Sequence, residues 1–432
     1  MKRYSEYKDS GVKWIGEIPG HWKMPKLNRV VSKVGSGSTP RGGSEVYIDE
    51  GIKFLRSQNI HFEGLNLDSV VYIPDSINEQ MKNTQVQPFD VLLNITGGSI
   101  GRCFYVDDTL GKANVNQHVC IIRPLSVNYR FLKYFLQSNS GQSQVWFYQK
   151  GDREGLSAES IKTFRLPLPP LPEQQAIVTY LDTKVAKIDE YISIAEKKIA
   201  ALEELKQTII AEAVTRGIHK DVLMKDSGVK WIGMIPEHWK VMRLSQIAYE
   251  HFISNKKIHH QNLLSLSYGQ IIRKDINGTN GLLPASFDTY QVVEEGNIIL
   301  RLTDLQNDHK SLRVGLVKET GIITSAYLCL APKNMVYSKF LYFQLHACDI
   351  KKVFYSMGDG LRQSLNYDGM RKLASVIPPL PEQQEIVTYI EAKVAKIDQL
   401  CQAERSQIEK LKEYKQRLIS DVVTGKVKVT ND

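Results

Sequence analysis

Cysteine is scarce in this chain, and its five copies (Cys103, Cys120, Cys329, Cys348 and Cys401) show no C-x-x-C spacing. An odd number without close pairs points to reduced thiols and a cytoplasmic address, against a disulfide framework and against a zinc site. His259-His260 has no cysteine or carboxylate at ligand spacing beside it, so no metal is expected. No run of 18 or more apolar residues occurs, so no membrane helix is expected. Met1-Lys2-Arg3-Tyr4 is not followed by the apolar core of a signal peptide. Catalytic signatures are missing too. There is no Asn/Asp-Pro-Pro-Tyr motif for amino-group methylation, no G-x-G-x-x-G loop and no Walker motif. Gly97-Gly98-Ser99-Ile100-Gly101 spells G-x-S-x-G, but it reads as a turn between two apparent strands and not as the strand-to-helix turn of a nucleophile elbow. The chain is expected to recognise something, not to transform it.

What it has is repetition. KDSGVKWIGEIPGHWK from Lys8 returns as KDSGVKWIGMIPEHWK from Lys225, matching at 14 of 16 positions with an offset of 217. PPLPEQQAIVTYLDTKVAKID from Pro169 returns as PPLPEQQEIVTYIEAKVAKID from Pro378, matching at 17 of 21 with an offset of 209. Between these passages the two halves diverge almost completely. Two constant frames around two different inserts imply one scaffold presenting two specificities.

The net charge of +9 sits in those inserts. Residues 1–165 carry +5 and residues 225–377 carry +6, whereas residues 166–224 carry −2 and residues 378–432 are neutral. Basic globular modules joined by neutral connectors fit a polyanion such as nucleic acid.

After Pro172, apolar residues recur at spacings of three and four: Val178, Leu181, Val185, Ile188, Ile192, Ala195, Ile199 and Leu202, then less regularly Leu205 and Ile209. That is the seam of a long helix, with proline and Glu173 suited to its first turn and Gly217 to its stop. The second copy carries Val387, Ile390, Val394, Ile397, Cys401, Ile408, Leu411 and Leu418, interrupted by Glu404. A helix of about 40 residues is roughly 60 Å long. The first helix leaves one insert and delivers the chain to the other, so a second helix packed along it must run back. The expected fold class is mixed α/β (α+β): two globular recognition domains separated by a long antiparallel two-helix coiled coil, a pseudo-twofold tandem repeat. The expected divisions are domain one at 1–165, helix one at 166–221, domain two at 222–377 and helix two at 378–432. The copy at Lys8 should then lie beside the end of helix two.

Inside the first insert, GIKFLRSQNI, DVLLNITG, GRCFYVDD and HVCIIRP read as short strands, followed by a helix over 129–149. The second insert keeps that order with NIILRLTD, RVGLVKE, AYLCLAP and a helix over 338–357. The two domains are therefore expected to share a fold and differ in loops. Loops with phosphate-binding or base-reading chemistry supply the candidate nucleic-acid contacts. They are Ser36, Ser38, Thr39 and Arg41 in the first glycine-rich stretch, Gln58 and Asn59, then Asn94, Thr96, Ser99 and Arg102 in the second, and Asn116, Gln117 and His118. The second insert offers Arg301, Thr303, Arg362 and Gln363. Each also reads as an ordinary surface polar residue, and the second glycine-rich stretch also reads as a tight hairpin turn. Trp14, Trp22, Trp231 and Trp239 lie in the constant passages, which marks them as packing anchors.

The tandem order of variable insert, Leu168-Pro169-Pro170-Leu171-Pro172-Glu173-Gln174 and long helix resembles the specificity subunits of type I restriction-modification systems. Ile377-Pro378-Pro379-Leu380-Pro381-Glu382-Gln383, the Lys8 and Lys225 passages, Thr96-Gly97-Gly98-Ser99-Ile100-Gly101 and Asn114-Val115-Asn116-Gln117-His118 extend the resemblance over nearly the whole chain. It implies two target-recognition domains reading a split site in double-stranded DNA. It further implies helices that set the spacer and dock two modification (methyltransferase) subunits through seam residues such as Leu181, Val185, Ile188, Ile192, Ile199, Leu202, Ile390, Val394, Ile397, Ile408 and Leu411. Restriction subunits would join to form an ATP-dependent translocase and nuclease. S-adenosylmethionine, ATP and Mg²⁺ would belong to those partners. The second insert shows no evident counterpart of Thr96–Gly101. A self-sufficient DNA nuclease or methyltransferase, and a coiled-coil scaffold without DNA contact, are the alternative readings.

Overall fold

The computed structural model describes residues 2–149, 155–219, 221–276, 284, 286–305, 312–357 and 364–429. The chain divides into two units, Met1–Ala195 with Ser406–Asp432, and Glu196–Arg405. The division passes through both long helices, Leu171–Arg216 and Leu380–Val423. Each unit thus owns one globular domain and one half of each helix.

The first unit is built on a four-stranded antiparallel sheet in the order Val31–Ser36, Val119–Pro124, Val91–Asn94, Cys103–Tyr105. Alternation along a strand sends successive side chains to opposite faces. Cys120 and Ile122 accordingly pack with Phe131 and Phe135 of the helix Tyr129–Gln137. Val119 and Ile121 pack on the other face with Leu55 and Val115. Those last two belong to a second sheet, ordered Val71–Ile73, Ile52–Leu55, Ala113–Val115, Gln85–Val86, whose inner pair is parallel.

The second unit repeats the first sheet in the same order: Ala248–Glu250, Leu328–Pro332, Ile298–Leu300, Val314–Leu316. Its second layer is different, a three-stranded sheet of Ile253–Ser254, Gln291–Val293 and Gly321–Ile323 beside a hairpin Leu264–Ser267/Gln270–Arg273. The core is shared and the outer layer is not.

The repeated passages close on each other within each unit. The Lys8 and Lys225 passages are hairpins, Tyr7–Asp9 with Glu17–Pro19 and Met224–Asp226 with Met234–Pro236. The imidazole of His21 donates to Glu173 at 2.8 Å, and His238 donates to Glu382 at 2.8 Å. Trp22 and Trp239 are fully enclosed, whereas Trp14 and Trp231 pack half-buried against the same cores. Each enclosed indole covers a helix stop. A Cβ on Gly217 would lie 3.3 Å from Trp239, and one on Gly425 would lie 3.2 Å from Trp22 and 2.3 Å from Pro19. Both glycines have φ of +76°, the left-handed turn that ends a helix. Lys428 N–H donates to Lys2 C=O at 2.9 Å, so the first passage does lie beside the end of the second helix.

The helix halves run antiparallel in each unit. In the first, Lys415 pairs with Asp189 at 2.6 Å. In the second, Lys206 pairs with Asp398 at 2.8 Å and Lys198 with Glu404 at 2.5 Å. Glu404 therefore serves the pairing that it seemed to interrupt. Leu181, Ile188 and Ala195 in the first unit and Ile390, Ile397 and Cys401 in the second are buried, as are Ile408 and Leu418. Val185, Ile192, Ile199, Leu202, Val394 and Leu411 are half-buried. Leu205 departs from the expected seam and is 48 % exposed. A helix of 3.6 residues per turn drifts off a strict seven-residue repeat, and Lys206 takes the inward place with Asp398 and Glu203 on its amine.

Two other expectations shift. The helix over 129–149 is two helices, Tyr129–Gln137 and Asn139–Tyr148. Ser138 turns extended between them, and its hydroxyl accepts the Gly141 N–H. The stretch 338–357 is a helix Ser338–Ile350 and a separate 3-10 turn Val353–Ser356, entered through Lys352 at φ +58°.

Candidate nucleic-acid interface

Most of the candidate loops of the first unit gather at one end of its first sheet, where Val31–Ser36 and Val91–Asn94 finish and Val119–Pro124 begins. Gly37 makes the approach possible. A Cβ there would stand 2.2 Å from Val115 O and 2.3 Å from Asn116 O. Without one, Gly37 N–H reaches Val119 O at 2.8 Å and Ser38 N–H reaches Val115 O at 3.3 Å. Three loops are then joined by side chains. Thr39 Oγ1 donates to Gln117 Oε1 at 2.5 Å, Gln117 Nε2 donates to His118 Nε2 at 3.0 Å, and His118 Nδ1 meets Thr96 Oγ1 at 2.6 Å. Because the Gln117 amine donates, His118 Nε2 accepts, and the ring proton sits on Nδ1 facing Thr96.

The other candidates divide by burial. Ser36, Arg41 and Gln58 are exposed, and Ser38, Ser99 and Arg102 are half-buried. Asn59 and Asn94 are fully enclosed. Asn59 accepts from Arg56 N–H at 2.8 Å and donates to Asn66 O at 2.9 Å, which ends the strand Ile52–Leu55 in a capped turn. Asn94 donates to Ser57 O at 2.8 Å and Ser99 Oγ at 3.2 Å. Asn116 is buried and accepts the His118 N–H at 3.2 Å. These three asparagines shape loops from inside. Thr96–Gly101 is the hairpin turn between paired strands Val91–Asn94 and Cys103–Tyr105.

In the second unit the same hairpin position is filled by the connection between Ile298–Leu300 and Val314–Leu316. A counterpart of Thr96–Gly101 therefore exists in topology, though no sequence signal marks it. Arg301 is half-buried and Thr303 exposed. Both are ordered by a residue that sequence reasoning missed. Arg313 is fully buried, and its guanidinium donates to the carbonyls of Arg301 at 3.1 Å, Thr303 at 2.8 Å and Asp304 at 3.2 Å. It also lies over the Tyr355 ring, 5.5 Å from the centroid. An arginine at the first position of a predicted strand carries no hint of burial. The counterpart of Asn116–His118 is Thr324-Ser325-Ala326-Tyr327, the turn before Leu328–Pro332, with Ser325 exposed. Arg362 and Gln363 lie outside the described residues.

Among the described residues no three His, Cys, Asp or Glu side chains gather as a metal site, and no helix is long and apolar enough to cross a membrane. The buried Cys103 and Cys120 thiols are pushed up to about 12 by desolvation, which makes them inert packing groups.

One constant frame, used twice to carry two loop sets of unlike sequence on the same sheet, defines a tandem recognition scaffold. The chain is similar to the specificity subunits of type I restriction-modification systems. A family model described as the type I restriction modification DNA specificity domain matches residues 19–204. The chain is 23% identical over 389 residues to the type I restriction enzyme MjaVIII specificity subunit of Methanocaldococcus jannaschii, covering 84% of this chain and 86% of that one. It is 28% identical over 207 residues to the EcoBI specificity subunit of Escherichia coli, covering 45% and 42%. Two solved structures share the fold. One comes from work on complex assembly and conformational transition of the type I R-M system, with a TM-score of 0.68, 15% identity and coverage of 94% and 98%. The other is the HsdS subunit from Thermoanaerobacter tengcongensis, with a TM-score of 0.51, 17% identity and coverage of 95% and 98%.

Proposed function

We propose that the chain recognises a bipartite, asymmetric site in double-stranded DNA for a type I restriction-modification complex in the cytoplasm, each unit reading one half. The observation that carries this is the shared sheet with unlike loops at the same end. Identical frames would give equal placement, and unlike loops would give unequal half-sites. The chain contributes recognition and no catalysis. Two modification subunits would supply adenine methylation from S-adenosylmethionine, and restriction subunits would supply ATP- and Mg²⁺-dependent translocation and cleavage. The long helices would dock the modification subunits and set the spacer.

Mapping methylated adenines genome-wide, with and without this chain beside its modification partner, tests the reading. A split motif that appears only with the chain is expected. The spacer role has its own test. Seven residues added to each long helix lengthen the pair by about 10.5 Å, or about three base pairs. The half-sites should then move apart with their sequences unchanged, and an unaltered spacing refutes the ruler role. Methyl transfer or cutting by the chain alone, given DNA, Mg²⁺ and S-adenosylmethionine, overturns the non-catalytic assignment.

A further inference from the structure

Gln117 is exposed at the turn before Val119–Pro124, yet its amide is already oriented. Thr39 holds the oxygen at 2.5 Å and His118 holds the nitrogen at 3.0 Å. The backbone beneath is fixed as well, by Gly37 against Val115 and by Ile95 N–H on His118 O at 2.9 Å. A free glutamine side chain loses rotamer freedom when a ligand immobilises it. Here the fold has met that cost beforehand.

The chemistry left over is specific. A primary amide has two N–H donors and two acceptor lone pairs, and one of each is used. One donor and one acceptor remain side by side. In the major groove adenine presents the matching pair, an N7 acceptor beside an N6 donor. Guanine presents two acceptors and would set O6 against the amide oxygen. Cytosine offers only a donor and thymine only an acceptor, each satisfying half of the amide.

We propose that Gln117 reads the major-groove edge of an adenine in the half-site bound by the first unit, with Thr39 and His118 as positioning residues. This rests on the DNA-recognition reading above. The adenine is not the one being methylated, because that base must leave the stack to react.

The test is methylome mapping with the full chain and its modification partner, comparing wild type with Gln117→Glu, Gln117→Ala and Thr39→Val. Glutamate keeps the shape but replaces the donor with a second acceptor, which suits the cytosine amine. Gln117→Glu should lose about tenfold to hundredfold of its adenine preference at one position of one half-site and gain cytosine there. Gln117→Ala should relax that same position, Thr39→Val should relax it to a smaller degree, and the other half-site should stay as it is. The proposal is overturned by an unchanged motif in Gln117→Glu and Gln117→Ala, or by a uniform fall in methylation with base preference intact. It is also overturned by a wild-type motif with no A·T pair beyond the modified ones. Absence of any sequence motif in the wild-type complex would instead remove the DNA-recognition reading itself.

Discussion

The side-chain oxygen of Gln174 accepts the backbone N–H of Asn128 at 2.8 Å, and its amine donates to Pro169 O at 2.8 Å. The second unit repeats the arrangement with Gln383, which accepts from Tyr337 N–H at 2.8 Å and donates to Pro378 O at 2.9 Å and Met335 O at 3.1 Å. The repeated Glu-Gln-Gln is therefore a staple. Its first glutamine ties the opening turn of the long helix to the start of the domain helix, while the glutamate before it takes the histidine of the repeated hairpin.

Replacing Gln383 with leucine strips a partner from the buried Pro378 carbonyl and from two part-buried groups, Tyr337 N–H and Met335 O. A buried carbonyl left unsatisfied costs about 1–3 kcal/mol and groups that water can reach cost less, so a loss of roughly 2 kcal/mol is expected. Urea unfolding of the full chain measures it. A loss under about 1 kcal/mol would show that the glutamine is incidental.

Gly217 and Gly425 separate backbone strain from overlap. Gly217→Ala meets the left-handed penalty of about 1 kcal/mol with only a tight contact at Trp239. Gly425→Ala adds a clash with Pro19 at 2.3 Å, for about 1–3 kcal/mol more. Thermal melts should rank Gly425→Ala as clearly the more destabilised variant.

Arg313→Met should loosen the loop that holds Arg301 and Thr303. Three carbonyls lose a charged donor, and we expect about 3 kcal/mol of destabilisation. Faster amide hydrogen exchange across 301–305, with 91–105 unaffected, is the expected pattern.

His346 is enclosed against the first long helix, with Nε2 at 3.0 Å from Gln207 Oε1. Burial, and then the nearby Lys206 charge, push its pKa down to about 4. The unfolded chain therefore binds this proton more tightly than the folded one. Stability from this group is full above about pH 6.5 and is lost as pH falls towards 4, by up to about 3 kcal/mol. His346→Leu should flatten that part of the stability profile, read as unfolding midpoints at pH 7, 5.5 and 4.5.

A seam of three-and-four spacing marked the long helices, chain continuity their antiparallel sense and Gly217 the stop of the first, whereas the stop of the second at Gly425 came from the fold. β-branched runs between turn formers marked four strands of the first insert and three of the second, but not Val31–Ser36 or Ala248–Glu250, which edge the two matching sheets, nor the outer layer of the second unit. Tertiary structure alone decided which polar residues face outward. Asn59, Asn94 and Gln117 look alike in sequence, yet two are enclosed by backbone partners and one is exposed between Thr39 and His118. Burial of a polar group depends on which carbonyls distant segments bring to it, as with Arg313 and the 301–304 loop. Only the folded chain holds that information.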